Sequence, residues 1–358
     1  MKKLDIYIIK KFLGTFFYAI SMLAVIIIIF DFSEKVDDFL ERQAPVREIV
    51  FSYYLNFLPY FINLFSALFT FISVIFFTSK LAANTEIVAM LNSGISFNRL
   101  LRPYLISALT LSLLSFVLAN FVIPHTNKRM LAFEKVYIKD PIRNKDINIH
   151  MQIDSVTYVF IESYNNQTNT GYRFSIEKIN KSGLFYRLNS DLIRWDSIQK
   201  KWKIMNAYER KINGMNESFS YLGTYDTTLR VKPTDFSMSV HDLKTFTYEE
   251  LREAIAREKL RGTKIVTQFE LEKHKRIAFP FATIVLTIIG YALSSRKVRG
   301  GIGLHLGLGI TISFTFILFM QIFSVFAAFG NMPPFIAVWI PNILFGILGL
   351  YLIKKAPK

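Results

Sequence analysis

The side chains that could perform chemistry are sparse and poorly spaced for it. The chain has no cysteine, which excludes disulfides, thiolate metal sites, iron–sulfur clusters and cysteine nucleophiles. Its five histidines, at 125, 150, 241, 274 and 305, are too dispersed for a metal cluster. No His-Glu-x-x-His pattern, nucleophile elbow or paired carboxylates stand out. The stretch Gly300-Gly301-Ile302-Gly303-Leu304-His305-Leu306-Gly307-Leu308-Gly309 has the glycines of a phosphate loop. It lacks the Gly-Lys-Ser/Thr ending and the preceding strand that such a loop needs. Small residues in an apolar run are instead expected to let helices approach closely, with His305 at their interface. Asn120 and Gln321 fall inside apolar tracts and are expected to hydrogen-bond to neighbouring helices. No catalytic residue, metal or cofactor is assigned.

Residues 84–94 are more informative. Asn84 or Thr85 is placed to cap a short helix with Glu86 in its first turn, where an acid meets the positive end of the helix dipole. Ile87 and Leu91 share an apolar face, and Ser93-Gly94 supplies a stop. Ser96 is placed to cap the next helix, which runs past Arg99, Arg102 and Pro103. Glu86 is also the only acid between Glu48 and Glu134. A short amphipathic helix of this kind either lies at a membrane interface or docks into a partner, and these residues alone leave both open.

The elements that position these residues are set by hydropathy. Of 358 residues, 52% are hydrophobic and 15% aromatic, concentrated in five uncharged tracts. These are Phe12 to Phe30, Ile49 to Ser79, Pro103 to Pro124, Ile277 to Ser295 and Gly300 to Ile353. The last is long enough for two crossings and is broken by Gly330-Asn331-Met332-Pro333-Pro334. About 20 apolar residues span a bilayer core, so six transmembrane helices are expected. The first tract is too long for a cleavable signal peptide, and Asp31-Phe32-Ser33-Glu34 does not resemble a cleavage site.

Lys and Arg near the span ends set the orientation. One side holds Lys2, Lys3, Lys10 and Lys11, then Lys80, Arg99 and Arg102, then Arg296, Lys297 and Arg299, then Lys354, Lys355 and Lys358. The short loops of the other side hold only Lys35, Arg42 and Arg47. Both termini are therefore expected in the cytoplasm. Of the net charge of +16, +8 lies in the long segment 125–276, which the rule exempts, so the distribution matters more than the total, and nucleic acid is not an expected partner. The long segment 125–276 then lies outside and changes to a period of two. Trp202, Ile204 and Tyr208 share one strand face, as do Tyr186, Leu188 and Leu192. Turn signals recur at Asn165-Asn166, Asn180-Lys181-Ser182-Gly183, Asp196-Ser197 and Asn213-Gly214. About seven strands between 148 and 232 are expected, as an antiparallel sandwich or open roll with apolar residues inside. Tyr248 to Arg261 reads as a helix with Leu251, Ala254 and Ile255 on one side, ended by Gly262.

Four stretches together resemble the LptF/LptG (YjgP/YjgQ) permeases of lipopolysaccharide export. They are Leu4-Asp5-Ile6-Tyr7-Ile8-Ile9-Lys10-Lys11-Phe12, residues Asn84 to Ser96, residues Glu270 to Pro280, and Pro333-Pro334 with Trp339-Ile340-Pro341-Asn342. The opening is slightly more similar to the G member. The resemblance implies a membrane α-helical fold of six transmembrane helices with an inserted all-β periplasmic domain of jellyroll type. The expected division is 1–124 for spans one to three, 125–245 for the β domain, 246–276 for connecting helices and 277–358 for spans four to six. The resemblance also implies a multi-pass protein of the bacterial inner membrane and a heterodimer with a second such permease. A cytoplasmic ATPase dimer would drive it, and LptC-like and LptA-like proteins would carry lipopolysaccharide onward. The permease itself is then not an enzyme.

On this resemblance, residues 84–94 form a helix coupled to the ATPase, through Glu86, Ile87, Leu91, Gly94 and Arg99. Lipopolysaccharide carries phosphates that basic groups attract, and the resemblance places such groups just beyond span one. Lys35 is the first candidate for lipid binding, with Arg42, Arg47 and Arg276 behind it. Lys35 could equally pair with Asp31, Glu34 or Asp38. Two other classes fit the layout less well. A receptor needs an output module that no inside segment is long enough to form. Another ATP-driven permease, for lipoprotein release or efflux, commonly has four spans.

Overall fold

The structure, a computed structural model, describes residues 3–138, 147–166, 168–229, 231–237, 240–262, 265–296, 301–330 and 332–356. The chain begins with helices α1 (Lys3–Glu41), α2 (Val46–Ala83), α3 (Glu86–Asn92) and α4 (Phe97–Tyr137). Strands β1 (Ile147–Gln152), β2 (Thr157–Asn165), β3 (Thr170–Asn180), β4 (Gly183–Asp196), β5 (Lys201–Asn213) and β6 (Asn216–Thr227) follow. Helices α5 (Pro233–Ser237), α6 (Tyr248–Arg261), α7 (Ile265–Ser294), α8 (Gly301–Phe329) and α9 (Pro334–Lys354) complete it. Six helices, α1, α2, α4, α7, α8 and α9, are long and apolar enough to cross a membrane. The break expected at Gly330 to Pro334 separates α8 from α9. The chain divides into two compact units, Met1–Lys139 with Lys244–Tyr248 and Glu270–Lys358, and Asp140–Leu243 with Glu249–Phe269.

In the helical unit, π-helical turns interrupt α2 at Ile49–Tyr54 and α4 at Leu118–Val122. The second lies just before Pro124, which has no N–H to give to the carbonyl four residues back. Asn120 bonds to its own helix, donating to the Phe116 carbonyl at 2.9 Å, rather than to a neighbour as expected. The other in-span amide, Gln321, is exposed in this chain. Phe12, Phe77 and Tyr104 stack at one end of the bundle, with centroids 5.5 Å and 5.3 Å apart for the two Phe77 pairs. Tyr291 closes this stack and donates to the Phe97 carbonyl at 2.9 Å.

Glycine sets the helix approach where the sequence placed it, though only in part. An added Cβ at Gly309 would lie 2.3 Å from Ile75, so α8 needs that glycine to pack on α2. At Gly303 and Gly307 the same atom would meet nothing within 4 Å. Gly290 of α7 is also tight, with the Phe71 ring 2.9 Å away. His305 is buried and its Nε2 lies 3.0 Å from the Arg296 carbonyl.

The β unit is one six-stranded antiparallel sheet in consecutive order β1-β2-β3-β4-β5-β6. All four expected turns are hairpin connections. At Asp196 the carboxylate accepts from the Gln199 and Ile198 amides, which holds its pKa below the usual range. Strands number six among the described residues, against the seven expected. After Thr227 the chain crosses Trp202 instead of pairing, the Trp202 indole donating to the Val231 carbonyl at 2.7 Å, and Pro233 then starts α5.

Two faces depart from strict alternation. Trp202 and Ile204 are buried, but Tyr208 is 58% exposed. Asn206 has a left-handed backbone (φ 54°), and the β5–β6 register shifts at Ala207, so Ala207 takes the inward place. In β4, Leu188 is buried, but Ile193 rather than Leu192 continues its face. Ser190 Oγ bonds to both the amide and the carbonyl of Leu192 at this point. The sheet is open at β1 and β6, as expected. Its inner face at Trp202, however, is filled by Val231 and Phe236 of the same chain. Helix α6 matches expectation, with Leu251, Ala254 and Ile255 buried and Gly262 in the left-handed region (φ +67°).

Candidate functional site

The short helix α3 sits at the end of the helical unit that also carries the two chain termini. Ile87 is 3% exposed and packs with Ile8, Phe97 and Ala356 in one core cluster, to which Met90, Leu91 and Ile95 add. Ile87 and Leu91 are therefore anchors facing the chain's own bundle. The face left free is Val88, Ala89 and Asn92.

The two ends of α3 are built differently. Expected capping by Asn84 or Thr85 is not found. Thr85 takes the N-cap place with φ 63°, in the left-handed region, and its hydroxyl donates to the Asn84 carbonyl. A capping side chain normally needs an extended backbone to reach the first amides. Ser96 has that backbone (ψ 150°) and accepts from the Arg99 amide, as expected. At the C-terminal end Gly94 has φ +85°, the Gly94 amide donates to Leu91 and the Ile95 amide to Met90. This pair of reversed bonds is a Schellman stop, which the left-handed glycine makes possible.

Helix α1 secures this turn twice. Tyr7 Oη donates to Glu86 Oε2 at 3.0 Å, while Asn84 Nδ2 lies 3.4 Å from Glu86 Oε1. Arg99 grips Asp5 bidentately, Nη1 and Nη2 each 2.8 Å from a carboxylate oxygen. The Asp5 side chain is 8% exposed and Arg99 29%, so the guanidinium is committed within the chain. Sequence reasoning missed Asp5 and Tyr7 as partners. The available signal was that Asp5 is the only acid before Asp31.

At the opposite end lies Lys35. Its ammonium is 2.9 Å from Asp31 and 3.7 Å from Glu134 and donates to the Tyr53 hydroxyl, which itself donates to Asp31 at 3.1 Å. The Tyr53 ring centroid is 4.8 Å from the ammonium, and Phe39, Phe57 and Phe133 surround that ring. Of the pairings open in the sequence, Asp31 is realised, and Glu134 joins from α4. Asp31 and Glu134 thus both face the Lys35 ammonium. Arg42 is exposed and donates to the Val136 carbonyl at 3.1 Å; Arg47 is exposed on the first turn of α2. Arg276 is buried, 3.2 Å from Glu272 and 2.7 Å from the Phe246 carbonyl. Lys35 and Arg276 are thus paired within the chain, whereas Arg42 and Arg47 are exposed.

A consequence follows for Lys35. Its removal leaves Asp31, 11% exposed, without its cation. Lys35→Ala is therefore expected to lower stability by about 3 kcal/mol, as for one partner removed from a buried pair. Adding Asp31→Asn should recover most of that loss in thermal unfolding of the detergent-solubilised protein. No recovery in the double variant would show that the ammonium acts on something other than Asp31.

Six apolar helices, a β domain inserted after the third, and a short helix docked between the second and third describe a polytopic membrane protein. The sequence profile of the family "Lipopolysaccharide export system permease LptF/LptG" matches residues 6–355. The chain belongs to that family. It is thus a multi-pass inner-membrane transport subunit and not itself an enzyme. A comparison with curated proteins returned no match.

Proposed function

We propose that the chain is one half of an ATP-driven exporter that extracts lipopolysaccharide from the inner membrane and passes it toward a periplasmic β-lined bridge. The second half is another permease of the family, and a cytoplasmic ATPase dimer supplies the work. In this reading both termini and α3 face the cytoplasm, and the β unit is periplasmic. The observation that carries it is α3, a rigid body anchored through Ile87 and stopped at Gly94, with Val88, Ala89 and Asn92 free for an ATPase. A push on it reaches α2 and α4 directly at its two ends.

Two further features support the reading. Only 17% of the apolar window of α1 and 28% of that of α8 is buried, against 61% for α7, so α1 and α8 offer most surface to a second permease. The open edge β6 carries exposed Phe219, Tyr221 and, across from it, Tyr208, which suits strand addition by LptC-like or LptA-like proteins. For the lipid phosphates, exposed Arg42 and Arg47 are the accessible groups, while Lys35 and Arg276 are held by carboxylates.

The test is reconstitution of the chain with a second family permease and the ATPase in vesicles carrying lipopolysaccharide. ATP-dependent transfer of lipopolysaccharide to an added LptA-like acceptor is expected. Transfer of a lipoprotein in its place would overturn this reading in favour of a lipoprotein-releasing permease.

A further inference from the structure

We infer that the helical unit holds an anion site that binds the phosphate of a single anionic phospholipid. This goes beyond the proposed export function and does not depend on what is exported. The site is a half-open cavity of about 100 Å³ among α2, α4, α7 and the segment 244–248. Three cations line it, Lys244, Lys275 and Arg276, against one acid, Glu272. Glu272 lies 3.2 Å from Arg276, which also donates to the Phe246 carbonyl. Among the described residues, Lys244 and Lys275 have no carboxylate within ion-pair distance. Lys244 is positioned rather than neutralised: it donates to the Tyr60 hydroxyl at 2.7 Å and lies 4.1 Å from that ring's centroid.

Charge and shape together identify the ligand. Two ammonium groups turned to one recess attract an anion, and a phosphate oxygen accepts from ammonium donors with charge assistance. The remaining lining is apolar, including Ile123 and Phe279, with Leu64 at 42% exposure. A bare solvent anion has no use for that surface, whereas an acyl chain can leave the cavity along it. Lys275 and Arg276 end the charged part of α7, and its uncharged run starts at Ile277, so the cations stand where the headgroup layer meets the hydrocarbon. At this volume the cavity takes one phosphate, well below the roughly 300 Å³ where sites for larger ligands begin.

The experiment uses the full chain in detergent, with dioleoylphosphatidylglycerol, dioleoylphosphatidylcholine or inorganic phosphate as the probe. Native mass spectrometry reads lipid retention, and thermal unfolding reads stabilisation. Phosphatidylglycerol is expected to be retained in preference to phosphatidylcholine. Lys244→Gln and Lys275→Gln should each weaken retention about fivefold and together about twenty-five-fold, with Lys275→Arg retaining it and Lys200→Gln, in the β4–β5 hairpin, without effect. Equal retention of both lipids, or unchanged retention in the double variant, overturns the site. Equal stabilisation by inorganic phosphate overturns its assignment to a lipid. Should Lys244→Gln fail to fold, the Gln and Arg variants of Lys275 carry the comparison, because they differ in charge at one position. A negative result leaves the export reading standing, since no arm measures transport.

Discussion

Glu86→Arg is expected to give a folded membrane protein that loses its ATPase, or keeps it without moving lipid. Within the chain Glu86 makes only surface bonds, from Tyr7 at 3.0 Å and Asn84 at 3.4 Å. Losing these costs about 1 kcal/mol, and losing an acid at the helix start adds about 0.3–1 kcal/mol. The helix itself is held elsewhere, by buried Ile87 and the Gly94 stop. A mild stability loss is therefore the whole effect if Glu86 serves only this chain. If it meets an arginine of the ATPase, a charge-assisted bond worth about 1.5–3 kcal/mol is replaced by repulsion. Association should then fall by at least about tenfold, since 1.4 kcal/mol corresponds to one decade.

Tyr7→Phe separates the two cases. It removes the internal bond to Glu86 and leaves the carboxylate in place. On the coupling reading, Tyr7→Phe retains ATPase association while Glu86→Arg loses it, measured by co-purification and by ATP-dependent lipid transfer. Full transport with a stably bound ATPase in Glu86→Arg would remove Glu86 from the coupling surface.

The features legible in the sequence were those that local periodicity controls. Uncharged tracts of span length located six helices, and Pro333-Pro334 located the break between the last two. Asn-Gly and Asx turn chemistry placed the hairpins, because connections of two or four residues leave the chain few conformations. Gly94 and Ser96 followed from local geometry in the same way. Facing residues across distant elements were not legible. Lys35 and Glu134 are 99 positions apart in sequence yet share a cluster, and no spacing rule connects them. The side-chain alternation in β5 failed at Asn206, where one left-handed residue re-aimed every side chain beyond it. The apolar face of α3 was identified correctly, but hydropathy alone does not say whether such a face meets a partner or the chain's own bundle. Ile87 shows that it meets the bundle, which transfers the expected contact surface to Val88, Ala89 and Asn92.

The Asp5–Arg99 pair should give an asymmetric stability effect. Arg99→Ala takes both donors of the bidentate bond from the Asp5 carboxylate, 8% exposed, and losing charge-assisted hydrogen bonds of this kind costs about 1.5–3 kcal/mol. The low end applies, because the pair is not fully enclosed. Asp5→Asn leaves Arg99, 29% exposed, able to turn its guanidinium toward water, and should cost less than half as much. Against a total stability of about 5–15 kcal/mol, the first variant should lower the unfolding midpoint by several degrees and the second only slightly. Exchanging the partners, Asp5→Arg with Arg99→Asp, should recover part of the loss if the bond itself matters. Function should follow the same order. The pair ties the first turn of α1 to the first turn of α4, and Tyr7 ties α1 to α3, so α1 moves with α3 as one body only while both hold. Equal, small losses in Arg99→Ala and Asp5→Asn would show that α1 is fixed by the apolar contacts of Ile8 and Phe12 alone, and that the buried pair carries no mechanical load.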